Sequence, residues 1–181
     1  MKAFVYTELQ IAIPFENAPW KDINNAIKKQ PGFLNKTWLS GVDSQSVGGL
    51  YAFDSIENAQ KFVTGYFPDE ARSLGVAQRT SVFDALVTEE ASKDMNSVHF
   101  GAKLDKKPGA FLYTEVQLNV VPFDNAPWEK INEAIKKQPG FMAKTWLSGL
   151  HTGTVGAFMH STPSKMPKNS HSIISQAKPP A

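Results

Sequence analysis

FVYTELQIAIPFENAPWKDINNAIKKQPGFLNKTWLSG, residues 4–41, comes back as FLYTEVQLNVVPFDNAPWEKINEAIKKQPGFMAKTWLSG, residues 111–149. A near-identical stretch at that spacing is a duplicated module, not a solenoid of short units. The copies differ in length by one residue, inserted between Gln117 and Pro122. One extra residue in a strand either reverses the facing of every later side chain or makes a bulge, and the unchanged flanking motifs favour a bulge.

Within the first copy, residues 4–13 alternate. Val5, Thr7, Leu9 and Ile11 share one side, and Tyr6, Glu8 and Gln10 the other. That period of two predicts a strand. Asn17 is the expected N-cap of a helix with Pro19 in its first turn. Trp20, Ile23 and Ile27 come next at helical spacing, with Trp20 as a packing anchor, and Pro31-Gly32 ends the helix. Residues 33–39 and 47–53 read as strands around a turn. A second helix carries Ile56, Ala59, Phe62, Val63 and Tyr66, and Pro68 is expected to break it. Residues 76–87 read as a fourth strand. The order βαββαβ is a ferredoxin-like α+β module. The paired Gly48-Gly49 predicts a bulge or a close backbone approach.

Four segments result: a complete module at 1–92, a polar linker at 93–109, a partial second module at 110–158, and an irregular tail at 159–181. The tail is rich in Ser, Pro and Lys. It also has a second reading. Ala157-Phe158-Met159-His160 can be encoded GCC-TTT-ATG-CAT. Restoring one base gives GGC-CTT-TAT-GCA, or Gly-Leu-Tyr-Ala, the residues at 49–52. The same shift continues into the first copy's second helix. The tail is therefore expected to be a frameshifted remnant of a complete module, which resequencing the gene around Gly156 decides. A remnant of that size buries little surface by itself. It is expected to be marginal unless it docks on the first module or pairs its edge with another chain.

Composition narrows the classes. The chain has 181 residues, a net charge of +2 and no cysteine. That excludes disulfides, thiolate metal sites and cysteine nucleophiles, and it gives no argument for nucleic acid or an anionic membrane. No apolar run spans a bilayer. Glu8 and Gln10 interrupt any signal-peptide core, so a cytoplasmic location is expected. His99, His151, His160 and His171 lack metal-ligand spacing, so no metal is expected. No phosphate-binding or dinucleotide fingerprint is present.

PGFLNKTWLS at 31–40, GGLYAFDSIENAQKF at 48–62 and ARSLGV followed by VFD within 71–84 resemble the YdhR-type monooxygenase family of the dimeric α+β barrel superfamily. The resemblance covers residues 1–92 fully and 110–156 in part. It implies a ferredoxin-like fold whose sheets pair into a barrel, either as a homodimer or, with two modules in one chain, as an intramolecular pseudo-dimer. It also implies oxygenation of a small aromatic or quinol-type substrate without a cofactor. The other function this fold supports is a non-catalytic ligand-binding or dimerisation module.

A planar ligand needs aromatic walls and a few polar groups. Trp38 and Tyr51 on the second and third strands supply the first, and Glu8 is the candidate base, giving Glu8, Tyr51 and Trp38 as catalytic candidates. Tyr6 and Gln10 share Glu8's face of the first strand, and Asn35 and Lys36 are placed to hydrogen-bond a ligand. The second copy keeps Glu115 and Trp146 but has out-of-frame sequence where Tyr51 stands.

Overall fold

The computed structural model describes residues 3–42, 44–117 and 123–162. The chain opens with β1 (Ala3–Gln10), a 3-10 turn (Phe15–Asn17) and α1 (Trp20–Ile27). Asn17 is not the cap expected of it. It closes the 3-10 turn, and Pro19 takes the position ahead of α1. The hairpin β2 (Phe33–Ser40) and β3 (Ser46–Phe53) comes next. Then come α2 (Ile56–Lys61), a π-helical turn (Phe62–Tyr66) and α3 (Phe67–Leu74). Ser55 caps α2 by accepting the Asn58 amide at 3.2 Å.

Pro68 does not break the helical run. The Phe67 amide reaches back five residues to the Phe62 carbonyl, and Pro68 falls in the first turn of α3. The wider π turn resets the hydrogen-bond ladder just where proline brings no donor. β4 (Gln78–Asp84) completes the βαββαβ order.

The polar stretch read as a linker with a helical start does begin with a helix, and it packs more closely than a linker. α4 (Glu89–Asp94) and a 3-10 turn (Val98–Phe100) leave β4 and pack onto the second half of the chain. That half supplies β5 (Ala110–Gln117), α5 (Trp128–Lys136), β6 (Phe141–Gly149) and β7 (Thr154–Ser161). The inserted residue and its expected bulge lie outside the described residues. So does the tail beyond residue 162. Met159, His160 and Ser161, assigned to the tail by sequence, instead complete β7. A strand paired on both sides is held by its backbone ladder whatever its side chains are.

All seven strands form one antiparallel sheet in the order β2-β3-β1-β4-β6-β7-β5. The first four strands have the ferredoxin-like order. β5, β7 and β6 pair in the register of β1, β3 and β2, down to a bulge at Phe33/Asn35 and another at Phe141/Ala143. The seam between halves is short. Phe83 pairs with Gly149 and Asp84 with Ser148, and the Leu150 amide reaches Val82 at 2.8 Å.

Strand alternation divides the core. Ala3, Val5, Leu9, Tyr51 and Phe53 face α1–α3 with Ile27, Ala59, Phe62 and Phe67. Phe4, Tyr6, Leu50 and Phe83 face the other way, onto Leu147 and Phe158 of the second half. The sheet therefore curls, bringing β1 opposite β5 although three strands lie between them. Trp20 is 37% exposed, so it does not anchor α1 as expected.

Gly48 serves a close approach, as anticipated. A Cβ there would run into the Thr7 carbonyl across the β1–β3 ladder.

Candidate functional site

The helix side of the first module contains a cavity of about 80 Å³. Its floor comes from three strands. Thr7 and Leu9 stand on β1, Val47, Gly48 and Tyr51 on β3, and Lys36 and Trp38 on β2. The rim comes from Ile13, Ala18, Pro19 and Ile23 before and on α1, and from Phe67, Glu70 and Leu74 on α3. Register explains the gathering: Lys36 lies opposite Tyr51, and Thr7 and Trp38 both lie opposite Gly49. The absent side chain at Gly49 keeps the floor low between them.

The polar groups in this apolar setting are few. The Lys36 ammonium nitrogen stands 2.9 Å above the centre of the Trp38 indole and 4.6 Å from that of Tyr51. Burial pushes the Lys36 amine down to about 6, partly offset by the Glu70 carboxylate. The same exclusion of water raises Glu70, against the pull of Lys36. Burial drives the Tyr51 phenol well above its ordinary range. The Trp38 indole N–H donates to the Asn24 side chain on α1 at 2.9 Å, which fixes the ring. Thr7 is fully buried and faces this space, and its hydroxyl lies against the Tyr51 phenol, a contact that offsets part of the effect of burial on that phenol.

Of the residues singled out from sequence, Trp38, Tyr51 and Lys36 meet here. Tyr6, Glu8, Gln10 and Asn35 do not, because each lies one residue out of phase on its strand and points to the opposite face. Glu8 there accepts the Tyr6 phenol at 3.0 Å and the Gln10 amide at 2.8 Å. Asn35 is exposed. Sequence reasoning missed Thr7 and Glu70. Thr7 sits in the alternation as one of the apolar side of β1, and no local signal in α3 brings Glu70 to a strand pocket.

A profile described as "Putative mono-oxygenase ydhR" matches residues 8–97. The first module belongs to the ydhR family. The match runs from within β1 to residue 97, three residues past α4, so it includes the start of the segment that leaves β4 and crosses to β6. No curated protein matches the chain. Among the described residues there is no helix long and apolar enough to cross a membrane and no cluster able to hold a metal ion.

The repeated half does not reproduce the ydhR cavity. Lys144 again stacks on Trp146, 3.0 Å above its ring, and Trp146 donates to Asn132 at 2.8 Å. Met159 occupies the place opposite Lys144 that Tyr51 has opposite Lys36. Lys144 is only 2% exposed.

Proposed function

We propose that the helix-side cavity of the first module binds a small phenol or quinol-type aromatic and oxygenates it without a cofactor, with Lys36 as the base. The observation that carries this reading is the gathering of the Lys36 amine, held near 6 by burial, with the Trp38 and Tyr51 rings and the Thr7 hydroxyl around one apolar cavity. A ligand hydroxyl would hydrogen-bond to Thr7 and give its proton to Lys36. The ring would lie along Trp38 and Tyr51.

The chemistry balances without further reagents. The base takes a proton from an acidic substrate, and the electron pair left on carbon is the reductant for oxygen. A C–O bond forms, the peroxide loses water and a carbonyl remains. One ring methylene and one dioxygen molecule thus become one carbonyl and one water. The ammonium left on Lys36 is stabilised over the Trp38 face and returns its proton to the departing oxygen. Glu70, at the rim, is placed to exchange protons with solvent. The cavity is smaller than the roughly 150 Å³ that encloses a benzene ring. A larger substrate would enter by one edge and leave the rest at the mouth, against Ile13, Pro19 and Leu74.

The whole chain is read as a tandem of ydhR-type modules, the second incomplete, folded as an intramolecular pseudo-dimer. Oxygen uptake with a panel of anthrones and hydroquinones tests the activity. Turnover should be lost in Lys36→Met, fall in Thr7→Val and persist in Glu8→Gln. Tight binding without oxygen uptake would leave the module a ligand-binding protein.

A further inference from the structure

Lys36 is an amine without a contacting counter-ion. Among the described residues it makes no hydrogen bond and no ion pair, and its neighbours are the faces of Trp38 and Tyr51. A lysine kept for its charge is ordinarily paired when buried. One kept unpaired in an apolar space retains its lone pair, and desolvated lysines of that kind condense with carbonyl compounds. Burial holds the Lys36 amine at about 6, so its free base predominates at neutral pH.

We propose that Lys36 is also a nucleophile, and that its amine captures short straight-chain aldehydes in the cavity and holds them as imines. The nitrogen lone pair adds to the carbonyl carbon as the C=O π bond opens onto oxygen, and that oxygen takes the proton nitrogen gives up. The carbinolamine then loses its hydroxyl as water, so one amine and one aldehyde give one imine and one water. Glu70 stands at the rim, and burial raises its carboxyl. It is suited to protonate the departing hydroxyl and to take the second nitrogen proton in return. The Thr7 hydroxyl on the cavity floor is placed to hydrogen-bond the carbonyl oxygen, and Leu9, Val47 and Phe67 exclude the water that would hydrolyse the imine.

Size and reach set the selectivity. The cavity of about 80 Å³ falls short of the roughly 150 Å³ that encloses a benzene ring. A short straight chain is smaller than that ring. A branched carbon next to the carbonyl brings bulk where Trp38 and Tyr51 already crowd the amine. The repeat supplies a control in Lys144. It stands over Trp146 as Lys36 stands over Trp38, and burial lowers its amine too, but it is 2% exposed where Lys36 is half-buried. Reach, not basicity, separates the two. Imine formation uses no dioxygen, so it is separate from oxygenation, and a module that takes up no oxygen still captures aldehydes.

The test is reductive trapping on the full chain at neutral pH. Cyanoborohydride turns an imine of propanal into a stable N-propyl amine, which peptide mass spectrometry locates. Lys36 should be alkylated at least about tenfold faster than the exposed Lys28 and Lys29, and Lys144 should stay unmodified. With pivalaldehyde the preference should vanish, leaving Lys36 no faster than Lys28. Glu70→Gln should slow trapping several-fold, although the loss of that carboxylate leaves the amine no more protonated than before. Equal rates at Lys36 and Lys28 with propanal overturn the proposal. So does alkylation of Lys36 and Lys144 at one rate, or an undiminished preference for Lys36 with pivalaldehyde. An unchanged rate in Glu70→Gln overturns the part given to Glu70.

Discussion

Tyr6 on β1 and Tyr113 on β5 lie face to face, their ring centres 3.7 Å apart and their planes 3° from parallel. They are the same residue of the repeat, and each phenol O–H donates a hydrogen bond to the glutamate two residues on, Glu8 and Glu115. Glu115 also holds Arg79 of β4 at 3.1 Å and Thr154 at 2.8 Å. A full face-to-face stack is not the arrangement ring quadrupoles prefer. Burial and the anchored hydroxyls hold the pair together. Tyr113→Ala should therefore cost about 2–4 kcal/mol, as large-to-small changes in cores do. A double-mutant cycle with Tyr6→Ala should return a coupling of no more than about 1 kcal/mol. Urea titrations of the four chains give both numbers.

The duplicated asparagines should differ. Asn132 is fully buried and joins Trp146 to Ala91 and Asp94. Asn132→Ala strands an indole N–H and a carbonyl and should cost about 2–4 kcal/mol. Asn24→Ala frees only a half-buried Trp38 and should cost under about 1 kcal/mol. Thermal melts side by side decide this, and equal losses would contradict the asymmetry of the two halves.

Lys36 sets the pH dependence of any chemistry in the cavity. The amine acts as a base only when deprotonated, and burial holds it near 6. Activity should rise through about pH 6 and level off above it. The rising limb should be absent in whatever residual rate Lys36→Met retains. For stability the sign is related: the unfolded chain holds the extra proton between about 6 and 10.5, so this group favours the folded state increasingly as pH rises through that window.

His99 and His160 give an acid-side counterpart. Both lie among Phe4, Phe111 and Phe158 between the halves, with ring centres 6.3 Å apart. Burial pushes each down to about 4, and His160 adds to the effect on His99. Nε2 of His99 and Nδ1 of His160 make no hydrogen bond among the described residues. The unfolded chain binds more protons between about pH 6.5 and 4, so stability should fall as pH drops across that interval. His160→Ala, which restores the residue found at Ala52, should flatten the fall. Denaturation midpoints at about pH 7 and about pH 4.5 measure it.

Two glycines should respond with opposite signs. Gly65 sits in the π turn with open space where a Cβ would go, so Gly65→Ala should stabilise the chain by about 0.5–1 kcal/mol. Gly48→Ala forces a methyl against the Thr7 backbone, and neither strand can give without losing ladder bonds. It should be among the most damaging single changes in the first module, seen as a collapsed melting temperature.

Much of the fold is legible in sequence because its signals are local. The alternation around Tyr6 marks β1, and the 3.6-residue spacing of Ile23 and Ile27 marks α1. The site is legible only where a side chain's phase on its strand is assigned correctly. Trp38, Lys36 and Tyr51 share a face because three strands register around Gly49, whereas Glu8, chosen for its chemistry, lies on the opposite face from Thr7 and Leu9. Glu70 comes from a helix that only tertiary packing brings to the rim. The full burial of Lys144 against the half-burial of its twin Lys36 has no trace in either strand, because the difference lies in what happens to be alongside.

The short seam also fixes an order of events at the ribosome. α4 and Met95 emerge well before β6 has been translated. During that interval the first module is complete, its crossing segment has no in-chain partner, and the edge of β2 is open. The second half is therefore made against a surface already in place, with Ser92, Met95 and Ser97 standing ready for Trp146, Lys144 and Thr145.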